Sequence, residues 1–284
     1  MRHMLSLAIN ELSRNRMLLA GLSVLFVIFV VAIVGPLVVD GTQARVGATI
    51  PRLPPNGDHW LGTDGQGRDM LTVLILAMPQ TLKIGLIAGL ISLSFGVALG
   101  LIAGFAGGIL DTVIRLASDV MMTIPGIAIL VLVASNVREM TVELMAVIVA
   151  SLSWMVATRT IRAQTLSLRE RGYVQIARLN GSRGLKLIFV EVLPNLLPFI
   201  AASFVITVSN AMLATVGLEA LGLGPQNELT LGMVIYWAQF FGAIIRGMWW
   251  WWGPPIVAIA LIFIGLMLTS AGMDSFANKR LGTT

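Results

Sequence analysis

Cysteine is absent from the chain, which excludes a disulfide framework and a thiolate metal site. Histidine is scarce. His3 and His59 lie far apart in sequence and make a poor start for a metal centre. Charge is scarce too: Asp, Glu, Lys and Arg make up 12% of the 284 residues, against about 25% in an ordinary soluble domain. The phosphate-cradling string G-x-x-x-x-G-K-[ST] does not occur, and its nearest approaches, GSRGLK and GLGPQN, lack it. The chain therefore cannot hydrolyse ATP by that machinery. No nucleophile, base and metal set converges anywhere, which argues against a membrane enzyme. The net charge of +5 does not by itself imply nucleic acid. In so apolar a chain the question is which side of a membrane holds the basic residues.

What the chain has is apolar surface, 57% of its residues. That surplus needs lipid, and the reading is an all-α polytopic membrane protein. Charge-free intervals of about 20 residues mark a span. Six occur: 17–39, 84–110, 120–137, 141–158, 192–218 and 247–273. The first is long and is followed by no A-x-A-like site, so it reads as a retained helix. With the N-terminus inside, only Arg45, Arg52, Arg68, Lys83, Arg138 and Arg246 fall outside, and the other Lys and Arg fall inside. The positive-inside bias thus predicts cytoplasmic termini. The expected division is a cytoplasmic segment 1–16, a first transmembrane helix 17–39, an extracytoplasmic loop 40–79, and a five-helix core 80–284 with a cytoplasmic loop 161–194. Gly85 and Gly89, then Gly96, Gly100 and Gly104, recur at four-residue spacing, which predicts close helix packing.

The cytoplasmic loop carries the most pattern. Arg169, Arg171, Arg178, Arg183 and Lys186 crowd one stretch, RERGYVQIARLNGSRGLKLIFVEVLPN. Burying them at a bilayer centre would cost at least ~2.5 kcal/mol each. Tyr173, Ile176, Ala177 and Asn180 share one helical face. Asn180-Gly181 is a stop signal, and Ser182 is a candidate N-cap for a second helix. Leu185, Ile188, Phe189 and Val192 form an apolar stripe on that helix, which Pro194 is expected to end. Shape alone leaves two readings open: a basic loop held by anionic lipid, or a compact docking knob.

This stretch resembles the cytoplasmic EAA loop of ATP-binding-cassette (ABC) importer permeases: Glu-Ala-Ala, three residues, Gly, then Leu-Pro. Here it reads Gln175-Ile176-Ala177, Gly181 and Leu193-Pro194. The triplet departs from the pattern at Gln175 and Ile176. HWLGTDGQGRDML, residues 59–71, is similar to the HxLGTDxxGRDxL signature of the dipeptide/oligopeptide/nickel subfamily. LGLGPQNELTLGMVI, residues 221–235, is similar to its segment after span five, with Leu231 in place of Trp. The order of these blocks matches the second, C-type permease of the pair. The resemblance implies a type I permease fold with six transmembrane helices in a prokaryotic cytoplasmic (inner) membrane. It implies that the loop is the coupling helix, with Arg171, Tyr173, Gln175, Ile176, Ala177, Arg178, Gly181, Leu193 and Pro194 at the docking surface.

The implied partners are a homologous second permease, two cytoplasmic ATPase subunits and a periplasmic or lipid-anchored solute-binding protein, all within membrane lipid and without nucleic acid. No cofactor or metal is expected on this chain; ATP and Mg belong to the ATPase subunits. The expected cargo is small peptides, with oligosaccharide or nickel chelate as alternatives. An ATP-independent channel or secondary carrier is the competing class. It would need ionisable residues inside the spans or matched broken helices, and the span interiors here are nearly charge-free.

Three further motifs have two readings each. Gly62, Thr63, Asp64, Gly67, Arg68 and Asp69 suggest an acid/base group, or a Gly-rich extracytoplasmic turn. In the second reading Asp64 caps a helix near Arg68, Arg68 pairs an acid, and the turn helps to receive a binding protein. Trp249 to Trp252 suggest an aromatic belt, or rings, Trp249 and Trp250 among them, that stack on a ligand at the pathway mouth. Asp111, Arg115 and Asp119 form a polar stripe. It is either a helix surface with i,i+4 pairs or, with Asp119 and Met122, part of a water-filled pathway. Pro125 predicts a kink.

Overall fold

A computed structural model describes residues 15–282, with side chains through residue 273. The expected N-terminal segment lies almost wholly outside these residues, as do the side chains of Lys279 and Arg280. The described residues are helical apart from short turns, a single Thr63–Asp69 bridge and loops. Helix α1, Arg16–Val38, starts where Asn15 accepts the Leu18 amide at 3.2 Å. After a short 3-10 turn, Gly41–Ala44, comes α2, Met70–Ala106. Then follow α3 (Gly108–Thr123), α4 (Gly126–Ser135), α5 (Val142–Ser151), α6 (Trp154–Arg169) and α7 (Gly172–Leu179). A continuous helical run of 37 residues comes next: α8 (Gly184–Leu187), a π-turn (Ile188–Val192) and α9 (Leu193–Ala220). Short α10 (Leu231–Phe240) and long α11 (Trp249–Gly282) complete the described residues.

Among the described residues four runs are long and apolar enough to cross a membrane: α1, α2, Gly184–Ala220 and Trp249–Met273. The bent pairs α3–α4 (78°) and α5–α6 (47°) raise the number to six if each pair is one span. The described residues thus hold four to six candidate spans, as a polytopic membrane protein requires. Several expected ends move. Helix α2 begins at Met70, well before residue 79, because Asp69 caps it. It tolerates Lys83 because that side chain pairs with Glu143 of α5 at the surface. The third interval breaks at Ile124-Pro125, as the proline predicts. The fourth breaks at Leu152-Ser153 with no proline at all. Pro194 does not end a helix. The widened π-turn just before it accommodates a residue that lacks an amide hydrogen, and the run continues through Pro198.

The glycines account for the close approaches. A Cβ on Gly85 or Gly89 would lie 2.3 Å from Met212 or 2.4 Å from Val208 of α9. One on Gly96, Gly100 or Gly104 would strike Ala157, the Thr158 carbonyl (2.8 Å) or Thr165 of α6. Gly21 sits against the Thr269 backbone in the same way, joining α1 to α11. Gly100→Ala therefore meets backbone atoms, which cannot swing aside. It is expected to destabilise the chain by about 1–3 kcal/mol, read as a lower midpoint of thermal unfolding in detergent.

Candidate functional site

The two sequence blocks that stand out lie at opposite ends of α2. The 59–71 block folds over its start, and the 169–195 loop packs on its finish. With 37 residues, α2 is about 55 Å long, longer than the roughly 30 Å hydrocarbon core.

At the finish, α7 is held by Val174, which is fully buried among Leu101, Ile161, Leu168, Leu187, Val192 and Leu196. Arg169 donates to the Gly104 carbonyl at 3.3 Å, and the Arg178 guanidinium lies 5.8 Å from the centre of the Phe105 ring. These contacts draw on charges that would otherwise face solvent and satisfy the end of α2. Helix α7 stops in a Schellman turn. The Gly181 amide donates to Arg178, and the Ser182 amide donates to Ala177, each at 3.0 Å. Gly181 takes φ +87°, which glycine adopts without strain. Ser182 is not the cap of the next helix. Arg183 occupies that position and makes no side-chain hydrogen bond there.

What α7 turns outward is apolar. Ile176 and Leu179 are 60% and 87% exposed, Tyr173 is partly exposed, and Gln175 flanks them. Partial burial pushes the Tyr173 phenol above its usual range, so it stays a neutral hydroxyl. Ala177 and Leu193 belong to the packed side, and Pro194 is exposed. On the second segment Ile188 and Val192 face inward as the stripe predicts. Leu185 and Phe189 are exposed, and Leu187 takes their place in the core. Val174 and Leu187 were not legible because the sequence pattern alone does not say which face three other helices cover.

At the start of α2 the Gly-rich block is a tightly bonded turn. Asp64 is fully buried. Its Oδ2 accepts Arg68 Nε at 2.6 Å, and its Oδ1 accepts the Gln66 and Arg68 amides at 2.8 and 2.9 Å. The pairing of Arg68 with an acid is as expected. The cap is not Asp64 but Asp69, which accepts the Thr72 amide and hydroxyl at 2.8 Å and contacts His59 Nδ1 at 2.9 Å. Asp64 is committed to its own turn, so the next carboxylate along the chain is free to reach α2. Thr63 donates to Ile50 and accepts from Leu53. A Cβ on Gly62 or Gly67 would meet the carbonyl of Leu53 or Thr49. Every carboxylate here is occupied, so no acid/base pair is left over. Asp69→Ala is expected to lose about 1–2 kcal/mol, measurable as earlier unfolding of the complex.

The four tryptophans do not act as one belt. Trp250 donates to the Thr63 carbonyl at 3.2 Å, and Trp251 is fully buried, stacked 5.8 Å from Phe241. These two lock the 59–71 block onto α11. Trp249 alone is strongly exposed, beside an apolar recess of about 400 Å³ lined by Ile28, Leu74, Met78 and Val257. The 111–119 stripe makes no i,i+4 pairs. Asp111 binds Arg162 of α6 in a bidentate pair, and Asp119 lies 3.9 Å from Arg159. Helix α6 runs alongside and brings the arginines across. Asp119 lines a polar cleft of about 280 Å³ with Arg115, Ser118 and Thr158, and Met122 does not. Sequence reasoning also missed Glu219. It is fully buried at the end of α9, close to Thr230 and Gly232, with no hydrogen-bond partner of full geometry. A Cβ on Gly232 would lie 2.1 Å from its carboxylate. No cluster of metal ligands occurs among the described residues.

Residues 96–283 match the family described as binding-protein-dependent transport system inner membrane component. Residues 4–55 match the N-terminal TM domain of oligopeptide transport permease C. The dipeptide transport system permease protein DppC of Haemophilus influenzae is 30% identical over 256 residues, 88% of this chain and 86% of that protein. DppC of Bacillus subtilis is 29% identical over 272 residues, 96% and 84% of the two chains. The oligopeptide transport system permease protein OppC of Mycobacterium tuberculosis is 28% identical over 232 residues, 81% and 80%.

Proposed function

Because the chain belongs to the family of binding-protein-dependent transport system inner membrane components, we propose that it is the C-type permease subunit of an ATP-driven ABC importer of small peptides. It is a transport component and not an enzyme. In this reading it has six spans in a prokaryotic cytoplasmic membrane, with both termini inside. It pairs with a homologous permease to form the pathway. Two ATPase subunits supply ATP and Mg chemistry from the cytoplasm, and a solute-binding protein delivers cargo outside. The peptide cargo follows the names of the relatives.

One observation carries the reading. The 171–183 knob is anchored to the chain by Val174 and still presents Ile176, Leu179 and Tyr173 outward beyond the end of α2. Apolar side chains with polar flanks suit a protein groove. ATPase closure there need bias a two-state bundle by only a few kcal/mol. The basic content of the loop supports its place on the cytoplasmic side.

Gly181→Asp tests the assignment in the reconstituted complex. A Cβ at Gly181 would meet nothing within 4 Å, and aspartate tolerates a positive φ better than most residues. The chain should therefore fold. Uptake and ATPase co-purification are expected to fall about tenfold, the effect of ~1.4 kcal/mol at a docking surface. Peptide uptake that proceeds without ATPase subunits would favour a carrier and defeat the proposal.

A further inference from the structure

A cleft of about 420 Å³ opens between the α1–α2 connection and the α9–α10 connection, at the end of α2 that carries the 59–71 block. This is within the size range of small-molecule sites, about 300–1,000 Å³. Its two walls differ in charge. Arg45 and Arg68 come from the first connection, and Glu228 comes from the second. Leu76, Val234 and Trp237 supply an apolar side.

The charged groups on these walls are incompletely used. Arg68 is 6% exposed and gives Nε to Asp64, while its Nη2 has no partner. A buried guanidinium nitrogen without an acceptor is costly, but Nη2 lies behind the cleft surface, so a ligand would meet Arg68 only at the part of its side chain that lines the cleft and would find its accessible guanidinium on Arg45. Arg45 is exposed and makes no ion pair among the described residues. Glu228 is half-buried and uses one oxygen for the Val142 amide at 3.1 Å. It has no cation within ion-pair distance among the described residues, and Lys83 is taken by Glu143.

We propose that this cleft binds a short peptide by both ends, with its terminal carboxylate on Arg45 and its terminal ammonium on Glu228. The inference rests on the peptide-importer reading and narrows it. A guanidinium fork suits a carboxylate, and the opposite wall suits a cation. A neutral oligosaccharide offers neither charge. A bound peptide would also tie the two connections together, linking the capped start of α2 to the Thr230-capped start of α10.

The test uses the full permease–ATPase complex in lipid nanodiscs, without binding protein, and three probes: alanyl-leucine, its C-terminal amide and its N-acetyl form. Binding is measured by calorimetry. In parallel, proteoliposomes of the same preparation are assayed for uptake with loaded binding protein. The variants are Arg45→Gln and Glu228→Gln, and Arg68 is left in place because its pair with Asp64 holds the turn. Wild type is expected to bind the free dipeptide about tenfold more tightly than either capped form, as the loss of one charge-assisted hydrogen bond implies. Arg45→Gln should erase most of the preference over the amide alone, and Glu228→Gln most of the preference over the acetyl form alone. Equal binding of all three probes, or preferences unchanged in both variants, would overturn the cleft assignment while peptide uptake leaves the permease reading standing. Absence of peptide uptake by the wild-type complex would overturn the reading and the cleft proposal with it.

Discussion

Replacing Ile176 and Leu179 together by aspartate is expected to abolish ATP-driven uptake while leaving the chain folded and inserted. Both side chains are largely exposed in the chain itself, so its own core loses little. Against a partner the balance reverses. Truncating a central apolar anchor costs about 2 kcal/mol or more, roughly 30-fold in affinity. Two buried carboxylates without partners add a desolvation cost. The expected outcome is normal membrane yield and thermal unfolding, no co-purified ATPase subunits, and uptake at background. Val174→Asp is the contrast. It places a charge in the cluster that anchors α7 and should lower both stability and uptake. If the double variant transports like wild type, the outward face of α7 is not a handle.

Asp64→Ala is expected to be the most destabilising single change in the 59–71 block. The Asp64 and Arg68 side chains are 0% and 7% exposed. Removing the carboxylate strands a buried guanidinium and also two amide donors, Gln66 and Arg68. Breaking such a pair from one side costs about 3–5 kcal/mol. The turn that positions Asp69 would loosen, and α2 would lose its cap. Thermal unfolding of the complex and protease cleavage between residues 45 and 69 should both report this. Asp64→Ala with Arg68→Met should recover part of the loss, because the unpaired charge is gone. An Asp64→Ala variant with wild-type stability would mean that the pair contributes nothing net.

The sequence made the apolar interiors and the two signature blocks legible for a simple reason: few charges interrupt the spans, and the blocks stand out against them. The four-residue glycine spacing pointed to close packing, and α9 and α6 fill those faces. The ends were harder. Lys83 looked like a boundary until Glu143, 60 residues away, supplied its partner. The break at Leu152-Ser153 has no local signal. Pro194 read as a stop because a π-turn cannot be seen in a hydrophobic pattern. Asp64 and Asp69 are both plausible caps in sequence, and only the buried bond to Arg68 separates their roles. The ring run at 249–252 concealed different fates, since burial of Trp251 depends on Gly65 and Phe241 arriving from elsewhere. Glu219 and Gly232 meet by the same kind of non-local approach.

The central claim is that α7 faces the ATPase subunits. The chain has no cysteine of its own, so Leu179→Cys introduces a unique thiol at the most exposed apolar side chain of α7. The decisive measurement is cross-linking of that variant, co-expressed with its ATPase subunits, by a short thiol-to-amine reagent. The predicted result is an adduct with an ATPase subunit, formed in the assembled complex and lost when Ile176→Asp is added. A thiol that forms no such adduct, and that a membrane-impermeant maleimide labels from outside the intact cell, would contradict the assignment.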